Sequence, residues 1–271
     1  DTPEDTSRHI EYEHYKANRE EMPDDLAKQL PYIFTLLEGF NIPAIAKPGF
    51  EADDVVGTLA KKAEKEGFDV YMMTPDKDYG QLVDEKIKIY KPGRGGEKPE
   101  VLGVKEVCEK WGIASVDKLI DVLGLMGDKV DNIPGIPGVG EKTAVKLIND
   151  FGSVENLIQN TDQLKGKLKE RVEEHKDMAV LSKKLATIIL DVPVDLNEEE
   201  LRLKELNKEV LRNLFQELEF KTLITTMLGA DPLPDATEGK PVSETGQIGL
   251  FAEENVAPKK SPDIGEYSDD E

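Results

Sequence analysis

The sequence predicts an α/β domain followed by a helical region and a disordered acidic tail. Three observations predict this: helix and strand patterns alternate over residues 1–103, short amphipathic helices dominate 104–228, and proline and acidic residues are enriched over 229–271. We expect the domain boundaries at these positions. The 271 residues are 38% hydrophobic and 34% charged, which is typical of a globular chain that buries a core.

The first region has helices and strands in α/β order. Apolar residues spaced for one face predict helices over 25–40 and 53–66. A short strand is predicted over 42–46, and more strongly apolar strands over 68–74 and 86–90. Because helices and strands alternate, we expect a mostly parallel sheet flanked by helices.

The second region has an almost entirely helical pattern, in which glycines separate short helices. The segment 229–271 contains three lysines against eleven acidic residues, together with five prolines. This composition predicts a disordered linker or tail, because too little apolar surface is available to offset the entropy of ordering.

The composition excludes several classes of protein. A formal charge of −21 argues against bulk electrostatic attraction to nucleic acid, although carboxylates that hold divalent cations can still act on phosphodiesters. No apolar run approaches the ~18 residues of a membrane span, and no secretory signal is visible. The single cysteine, Cys108, excludes an internal disulfide and suits a reducing compartment.

Three acidic clusters are candidates for chemistry, and each has an ordinary structural alternative. Residues 51–54 (Glu-Ala-Asp-Asp) begin a helix, where acids also complement the helix dipole. Asp76 and Asp78 follow the strand 68–74; in an extended segment they would point the same way, although aspartate also favours turns. Asp128 and Asp131 have the spacing that places two carboxylates on one side of a helical turn, or they mark a helix end.

Together these clusters would supply oxygen ligands for Mg²⁺ or Mn²⁺. Two such ions about 3.5–4 Å apart can activate a water and stabilise the leaving oxygen of a phosphodiester. A zinc site is not predicted, because His9, His14 and His175 lack the spacing of zinc ligands.

Residues 132–144 (Asn-Ile-Pro-Gly-Ile-Pro-Gly-Val-Gly-Glu-Lys-Thr-Ala) form a glycine- and proline-rich turn before a helix. Glycines bring backbone N–H groups close to a ligand, and the helix start is electropositive, so the segment suits a nucleic-acid backbone. A nucleotide-binding P-loop is an alternative, but Glu141 separates Gly140 from Lys142 and breaks that pattern. A plain turn between two helices is the third interpretation.

Two basic groups stand out in this acidic chain. Residues 165–184 carry a local excess of lysine and arginine, which suits either a second backbone contact or a solvated helix face. Near the start, cations and aromatics together suit contact with a single strand. They are Arg8, His9, Tyr12, His14, Tyr15, Lys16 and Arg19.

Five motifs carry a resemblance to a known family. They are Tyr-Lys-Ala-Asn-Arg (15–19), Gly-Phe-Glu-Ala-Asp-Asp (49–54), Thr-Pro-Asp-Lys-Asp-Tyr-Gly-Gln-Leu (74–82), Gly-Asp-Lys-Val-Asp-Asn-Ile-Pro-Gly (127–135) and Gly-Val-Gly-Glu-Lys-Thr-Ala (138–144). In this order and spacing they resemble the 5′ nuclease (5′-3′ exonuclease) domain of bacterial DNA polymerase I, in the flap endonuclease family. The resemblance covers roughly residues 1–228.

The resemblance implies a PIN-like 5′ nuclease fold with a helix-hairpin-helix region, which cleaves 5′ flaps and 5′ ends of DNA in primer removal and repair. It implies two Mg²⁺ or Mn²⁺ ions, with K⁺ at the helix-hairpin-helix. The implied metal-site residues are Asp1, Glu51, Asp53, Asp54, Asp76, Asp78, Asp128 and Asp131. The implied catalytic cations are Lys16 and Arg19. The implied DNA-binding residues are Arg8, His9, Tyr15, Gly135, Gly138, Gly140, Lys142 and Thr143.

The resemblance also implies a context. The family begins with a strand that carries a further metal-site aspartate, so we expect this chain to be an N-terminally truncated fragment, and a catalytically incomplete DNA-binding module is the alternative function. We expect a monomer, cytoplasmic and beside the bacterial nucleoid, with a polymerase domain in cis and no membrane partner.

One motif in the tail has an interpretation of its own. Gln247, Leu250 and Phe251 resemble a short peptide that binds the bacterial sliding clamp, with chance similarity as the alternative.

Overall fold

The computed structural model describes residue 2, residues 4–93, residue 95 and residues 97–229. In chain order, the α-helices of this part are α1 (Ser7–Glu11), α2 (Asp24–Ala27), α3 (Leu30–Gly39), α4 (Ala52–Lys65), α5 (Val104–Trp111), α6 (Leu119–Met126), α7 (Glu141–Phe151), α8 (Val154–Gln159), α9 (Gly166–Glu174), α10 (Lys176–Ala186), α11 (Glu198–Leu201), α12 (Lys208–Glu217) and α13 (Lys221–Leu223). Short 3₁₀ helices occur at Asp78–Leu82, Val116–Lys118 and Thr161–Gln163, and a π-helical turn occurs at Ile224–Leu228.

The described strands form one small mixed sheet of β1 (Val70–Met73), β2 (Ile87–Lys91) and β3 (Glu100–Leu102), in that order. β1 and β2 are parallel, and β2 and β3 are antiparallel. The predicted strands at 68–74 and 86–90 are therefore confirmed as a parallel pair. β3 extends this pair into a mixed sheet, and its three residues were too short a run to predict a strand.

Two other predicted elements differ from the structure. The predicted strand 42–46 is wrong, because these residues form no strand and Pro43 lacks the N–H that a ladder needs. The predicted helix 25–40 is two helices, α2 and α3. Pro31 stands in the first turn of α3, where its missing N–H cannot continue a helix from the preceding residues.

The described residues divide into two compact units. The first comprises residues 2–21 and 45–196, and it contains the sheet and the helices around it. Its core is formed by strand and helix residues such as Ile87, Leu119 and Leu125, which have no exposed surface. Ile136 from the glycine-rich turn is also buried in this core, so the turn is anchored to the body of the unit.

The second unit comprises residues 22–44 and 197–229. Its core joins α3 to α12 through the buried Leu211 and Phe215, with Leu36 and Phe40 packed against them. Gly39 permits the close packing, because a β-carbon there would lie 2.4 Å from Leu211 Cδ2.

None of the helices in the described part of the chain is both long and apolar enough to cross a bilayer.

Candidate active site

The N-terminus of α4 places two carboxylates side by side. Glu51 immediately precedes the helix in extended backbone, and its side chain is 6% exposed. Tyr15 Oη donates a hydrogen bond to Glu51 Oε2 at 3.1 Å, and Lys16 Nζ lies 2.9 Å from Glu51 Oε1. Asp53, in the first turn, accepts a hydrogen bond from Tyr79 Oη at 2.8 Å. Both carboxylates are therefore held in place by donors from other segments of the chain.

Asp54, one residue further, is held by four hydrogen-bond donors of the chain. Its oxygens accept a bidentate pair of hydrogen bonds from Arg8 at 2.7 and 2.8 Å. They also accept the backbone N–H groups of Glu51 at 3.2 Å and Ile189 at 2.9 Å. These four donors fill the acceptor positions of a carboxylate that has no exposed surface. In this arrangement Asp54 offers no free acceptor position to a metal ion, and its role as a metal ligand stays a prediction.

The loop after β1 carries Asp76 and Asp78. Asp76 Oδ1 accepts the backbone N–H of Asp78 at 2.9 Å, and Thr74 Oγ1 accepts that of Asp76 at 3.1 Å. The segment is thus a turn leading into a 3₁₀ helix, and the extended geometry expected from alternation is wrong. Asp78 Oδ1 is buried and has no hydrogen-bond partner in the structure.

The third acidic segment, residues 128–132, is a bridged loop. Asp128 and Ile133 exchange two backbone hydrogen bonds, at 2.9 and 2.7 Å. Asp128 Oδ1 accepts the N–H of Val130 at 2.7 Å, and Asn132 adopts a left-handed backbone with φ of 54°. The predicted helical turn is therefore wrong, because the bridge and the left-handed residue bring the chain back on itself.

The electrostatics show that the three acidic segments converge. The pKa of Asp78 is raised to about 7, chiefly by burial and also by the negative charges of Asp76, Asp128 and Asp131, while Lys77 opposes the shift. Burial also raises the pKa of Asp53, against the hydrogen bond from Tyr79, and the charges of Asp76 and Glu51 add to the shift. The converging carboxylates are Glu51, Asp53, Asp76, Asp78, Asp128 and Asp131.

Lys77 partly balances this charge. Its Nζ lies 2.5 Å from Asp128 Oδ2. Burial acts to raise the pKa of Asp128, but the hydrogen bond and positive charge of Lys77, together with the backbone N–H groups of Val130 and Asp131, hold the pKa below its usual value. Asp128 is therefore ionised at neutral pH.

The residues present fit a hard cation. The unpartnered, buried Asp78 Oδ1 faces carboxylates whose repulsion a divalent cation would relieve, and Mg²⁺ prefers such oxygens. In the described part of the chain, no three or more acidic, histidine or cysteine side chains are already arranged around one metal position. Mg²⁺ keeps several waters and needs only one or two direct carboxylates, so the two observations are compatible.

Lys16 and Arg19, the expected catalytic cations, lie at the edge of this acidic cluster. Lys16 pairs with Glu51, and Arg19 Nη2 lies 2.5 Å from Asp131 Oδ1. The Arg19 side chain is 47% exposed, so part of its guanidinium faces solvent. Both cations are therefore beside the carboxylates, and Arg19 is accessible to a phosphate.

Arg8 and Tyr15, two residues expected to contact DNA, are buried in this structure, and their contact with DNA stays a prediction. Arg8 is buried against Asp54, and it also donates to the carbonyls of Leu185 and Thr187, at 2.9 and 2.8 Å. Tyr15 is 3% exposed, so no base can stack on its ring. His9, half-buried, packs its ring edge-on against Tyr15, with 5.2 Å between the ring centroids.

The glycine-rich turn lies between α6 and α7, the geometry expected of a helix-hairpin-helix. Gly135 is fixed inside it: its N–H donates to Ser182 Oγ at 2.9 Å, and a β-carbon there would lie 2.5 Å from Gly127 N. Gly138 and Gly140 are exposed, and so is Lys142 on the first turn of α7. Thr143 is half-buried beside them.

Gly140 has no structural need to be glycine. Its φ is −94°, and a β-carbon there would meet nothing within 4 Å. Gly138, in contrast, has φ of +77° and lies against Arg171. The open space at Gly140 suits the close approach of a ligand to the backbone.

Several expected residues lie outside the described residues. These are Asp1 of the metal site and the whole tail motif, Gln247, Leu250 and Phe251. The site also contains residues that sequence reasoning did not assign, namely Tyr79, Lys77 and Asn132. Tyr79 and Lys77 stand within the motif 74–82, so their place in that motif was the available signal.

An α/β sheet with carboxylates converging beside it, followed by helices with an exposed glycine hairpin, defines the class of α/β nucleases with a helical DNA-binding region. Two family models match the chain: the 5′-3′ exonuclease N-terminal resolvase-like domain over residues 1–112, and the 5′-3′ exonuclease C-terminal SAM fold over 114–209. The chain belongs to the 5′-3′ exonuclease family.

Individual relatives agree with this assignment. The 5′-3′ exonuclease of Aquifex aeolicus is 39% identical over 224 residues, which are 83% of this chain and 75% of that protein. DNA polymerase I of Bacillus caldotenax is 40% identical over 245 residues, 90% of this chain. The chain spans only 27% of that polymerase.

A solved structure shares the fold. A bacteriophage T5 flap endonuclease, in a pseudo-enzyme-product complex with DNA and metal ions, aligns with a TM-score of 0.57. The alignment covers 80% of this chain and 81% of the phage protein at 20% sequence identity.

Proposed function

We propose that this chain is the 5′-3′ exonuclease and 5′-flap endonuclease part of a DNA polymerase I, and that it hydrolyses DNA phosphodiesters with two Mg²⁺ or Mn²⁺ ions. The observation that carries the proposal is the convergence of carboxylates from three separate segments around the unpartnered Asp78 Oδ1. The T5 relative, whose structure contains DNA and metal ions, supports the same chemistry.

The chain's own residues divide the work. Divalent cations, when bound, supply the Lewis acidity that activates water and stabilises the leaving oxygen. Glu51, Asp53, Asp76, Asp78, Asp128 and Asp131 would hold them. Lys16 and Arg19 neutralise the charge that develops on the scissile phosphate, while Tyr15 and Tyr79 keep Glu51 and Asp53 oriented through their hydroxyl groups.

The glycine-rich turn between α6 and α7 would bind the DNA duplex. Exposed Gly138 and Gly140 allow a phosphate to approach the backbone at the N-terminus of α7, where Lys142 adds a positive charge. A monovalent cation such as K⁺ on main-chain carbonyls of this turn belongs to the proposal.

The wider context is part of the same proposal. The polymerase relatives place such a domain in one chain with a polymerase, so primer removal and DNA repair in the bacterial cytoplasm are the setting. The substrates are DNA flaps, nicks and 5′ ends. The sliding clamp is a further proposed partner, through Gln247, Leu250 and Phe251.

A labelled 5′-flap assay with Mg²⁺, Mn²⁺ or chelator tests the proposal. We expect divalent-dependent cleavage that Asp76→Asn and Asp128→Asn abolish, while duplex binding survives. Asp162→Asn changes an exposed carboxylate elsewhere and serves as the matched control. Undiminished Mg²⁺-dependent cleavage by the Asp76 or Asp128 variant would refute the assignment of the metal site.

The second candidate is a module that binds flap DNA without turnover. The observation in its favour is that the described residues contain no ready-made metal-holding group of three or more side chains. It predicts salt-dependent flap binding and no cleavage at any Mg²⁺ or Mn²⁺ concentration.

A further inference from the structure

Segment 14–19, which carries Lys16 and Arg19, is fastened to the acidic loop 128–132 by two asparagine side chains. Asn132 Nδ2 donates to the carbonyl of His14 at 2.6 Å. Asn18 Nδ2 donates to the carbonyl of Lys129 at 2.7 Å. The two amides thus cross between the segments in opposite directions, and we call this pair of contacts the asparagine clasp.

A backbone contact completes the clasp. The N–H of Lys16 donates to the carbonyl of Asp131 at 3.0 Å. Lys16 and Asn132 both adopt left-handed backbone, with φ of 56° and 54°. Such backbone is disfavoured for a lysine and persists only where the surrounding structure enforces it.

The clasp fixes the positions of the positive charges of Lys16 and Arg19. Lys16 points its Nζ at Glu51, and Arg19 points its guanidinium at Asp131, so both cations hold their positions only while segment 14–19 stays on the loop. Asn18 and Arg19 stand in the exposed stretch 17–20, where ion pairs alone hold a chain weakly.

We propose that Asn132 and Asn18 are positioning residues, which fix Lys16 and Arg19 beside the metal-site carboxylates for contact with the scissile phosphate. This inference rests on the proposed function. Asparagine suits position 132 doubly, because it tolerates left-handed backbone and its amide reaches the carbonyl of His14.

The test compares Asn132→Ala, Asn132→Gly and Asn18→Ala. Glycine adopts left-handed backbone readily but lacks the amide, whereas alanine lacks the amide and also disfavours left-handed backbone. Asn41→Ala is the matched control, because Asn41 also has left-handed backbone, with φ of 54°, and an amide bonded to a carbonyl, that of Glu205, within the other compact unit.

Two readouts separate positioning from general damage. Hydrogen exchange, measured in the metal-free protein, should become faster in residues 14–19 for both Asn132 variants and stay unchanged elsewhere. In flap cleavage with Mg²⁺, we expect kcat to fall about 10- to 100-fold for Asn132→Ala and less for Asn132→Gly, with KM within about twofold, because small displacements of catalytic groups act on the transition state.

The outcomes are distinct. Wild-type kcat in all three clasp variants overturns the inference, as does a loss of kcat without faster exchange in 14–19, or an equal loss in Asn41→Ala. If the wild-type chain cleaves no DNA, the proposed nuclease function fails. In that case, unchanged hydrogen exchange of residues 14–19 in both Asn132 variants would also overturn the inference that the asparagines hold this segment in place.

Discussion

Asp54 and Asp78 are the same residue type in the same compact unit, yet their surroundings are opposite. Asp54 is saturated by a guanidinium and two backbone N–H groups, whereas Asp78 has a buried oxygen with no donor and three carboxylates nearby. Asp54 joins α1, the start of α4 and the segment near Ile189, so it stabilises the fold. The repulsion at Asp78 is relieved by protonation or, as proposed above, by a bound divalent cation. Acidic residues that look alike in the sequence can therefore differ: Asp54 is engaged by donors of the chain, whereas Asp78 keeps a buried oxygen without a donor.

The largest effect is expected from Asp78→Asn. Removing this charge deprives a cation of a buried oxygen ligand, so cleavage of a 5′ flap should fall by ~10³-fold. The free energy of unfolding should not fall, because the mutation also removes repulsion from Asp76, Asp128 and Asp131. Urea unfolding and a flap assay on the same preparation check both parts, and a destabilised but active variant would contradict the comparison.

Asp54→Asn should show the reverse pattern. It leaves the buried Arg8 guanidinium without its counter-charge, which costs about 3–5 kcal/mol of the free energy of unfolding. Urea unfolding in metal-free buffer measures this loss directly.

A double variant sharpens the second prediction. Replacing the pair together, as Arg8→Met with Asp54→Leu, removes the unpaired charge and should recover at least about 1 kcal/mol relative to Asp54→Asn. If Asp54 were instead a metal ligand, its loss would weaken Mn²⁺ binding equally in the wild-type and Arg8→Met backgrounds.

The same contrast recurs in the hairpin. Gly135→Ala forces a methyl group against Gly127 at a φ of +60°, so we expect a loss of about 1–3 kcal/mol in stability. Gly140→Ala meets open space and should leave stability within about 0.5 kcal/mol, while duplex binding weakens because the methyl group stands where a phosphate would approach. If the two variants changed the free energy of unfolding equally, the contrast between a glycine required by packing at 135 and an unconstrained glycine at 140 would be wrong.

A small effect is also expected at Asp84, a partly exposed carboxylate paired with Lys61 on α4. Although burial acts against it, the hydrogen bond from Lys61 and the N–H groups of Ile87 and Lys86 lower the pKa of Asp84. Its stabilisation is therefore present at neutral pH and lost as the pH falls through the acidic range. Asp84→Asn should cost at most about 1 kcal/mol at pH 7, and the difference from wild type should shrink in unfolding experiments at low pH.

The sequence predicts the elements whose apolar pattern is long enough to read. Helix α4 and the pair β1 and β2 follow from periodicity, and the three acidic segments are predicted to share one site because two of them stand at element ends. The strand expected at 42–46 failed because Pro43 removes a ladder donor.

Contacts between distant residues were beyond sequence reasoning. Arg8 and Asp54 are 46 residues apart, and nothing local indicates that they form a buried pair. The fold of 128–132 was also missed, since it depends on the bridge from Asp128 to Ile133 and on the left-handed Asn132. In both places, tertiary contacts engage the side chains or the backbone in ways that the local sequence pattern does not show.

The bridge between Asp128 and Ile133 has one more consequence, because it ends only two residues before Gly135 begins the hairpin. The glycine-rich turn, which would bind the duplex, therefore follows almost directly on the acidic loop 128–132, which would hold the metal ions. Under the proposed function, this short connection would fix the distance along the DNA strand between the bound duplex and the phosphodiester that is cleaved. A one-residue insertion after Pro134 would then move the cleavage position on a sequencing gel instead of merely slowing the reaction.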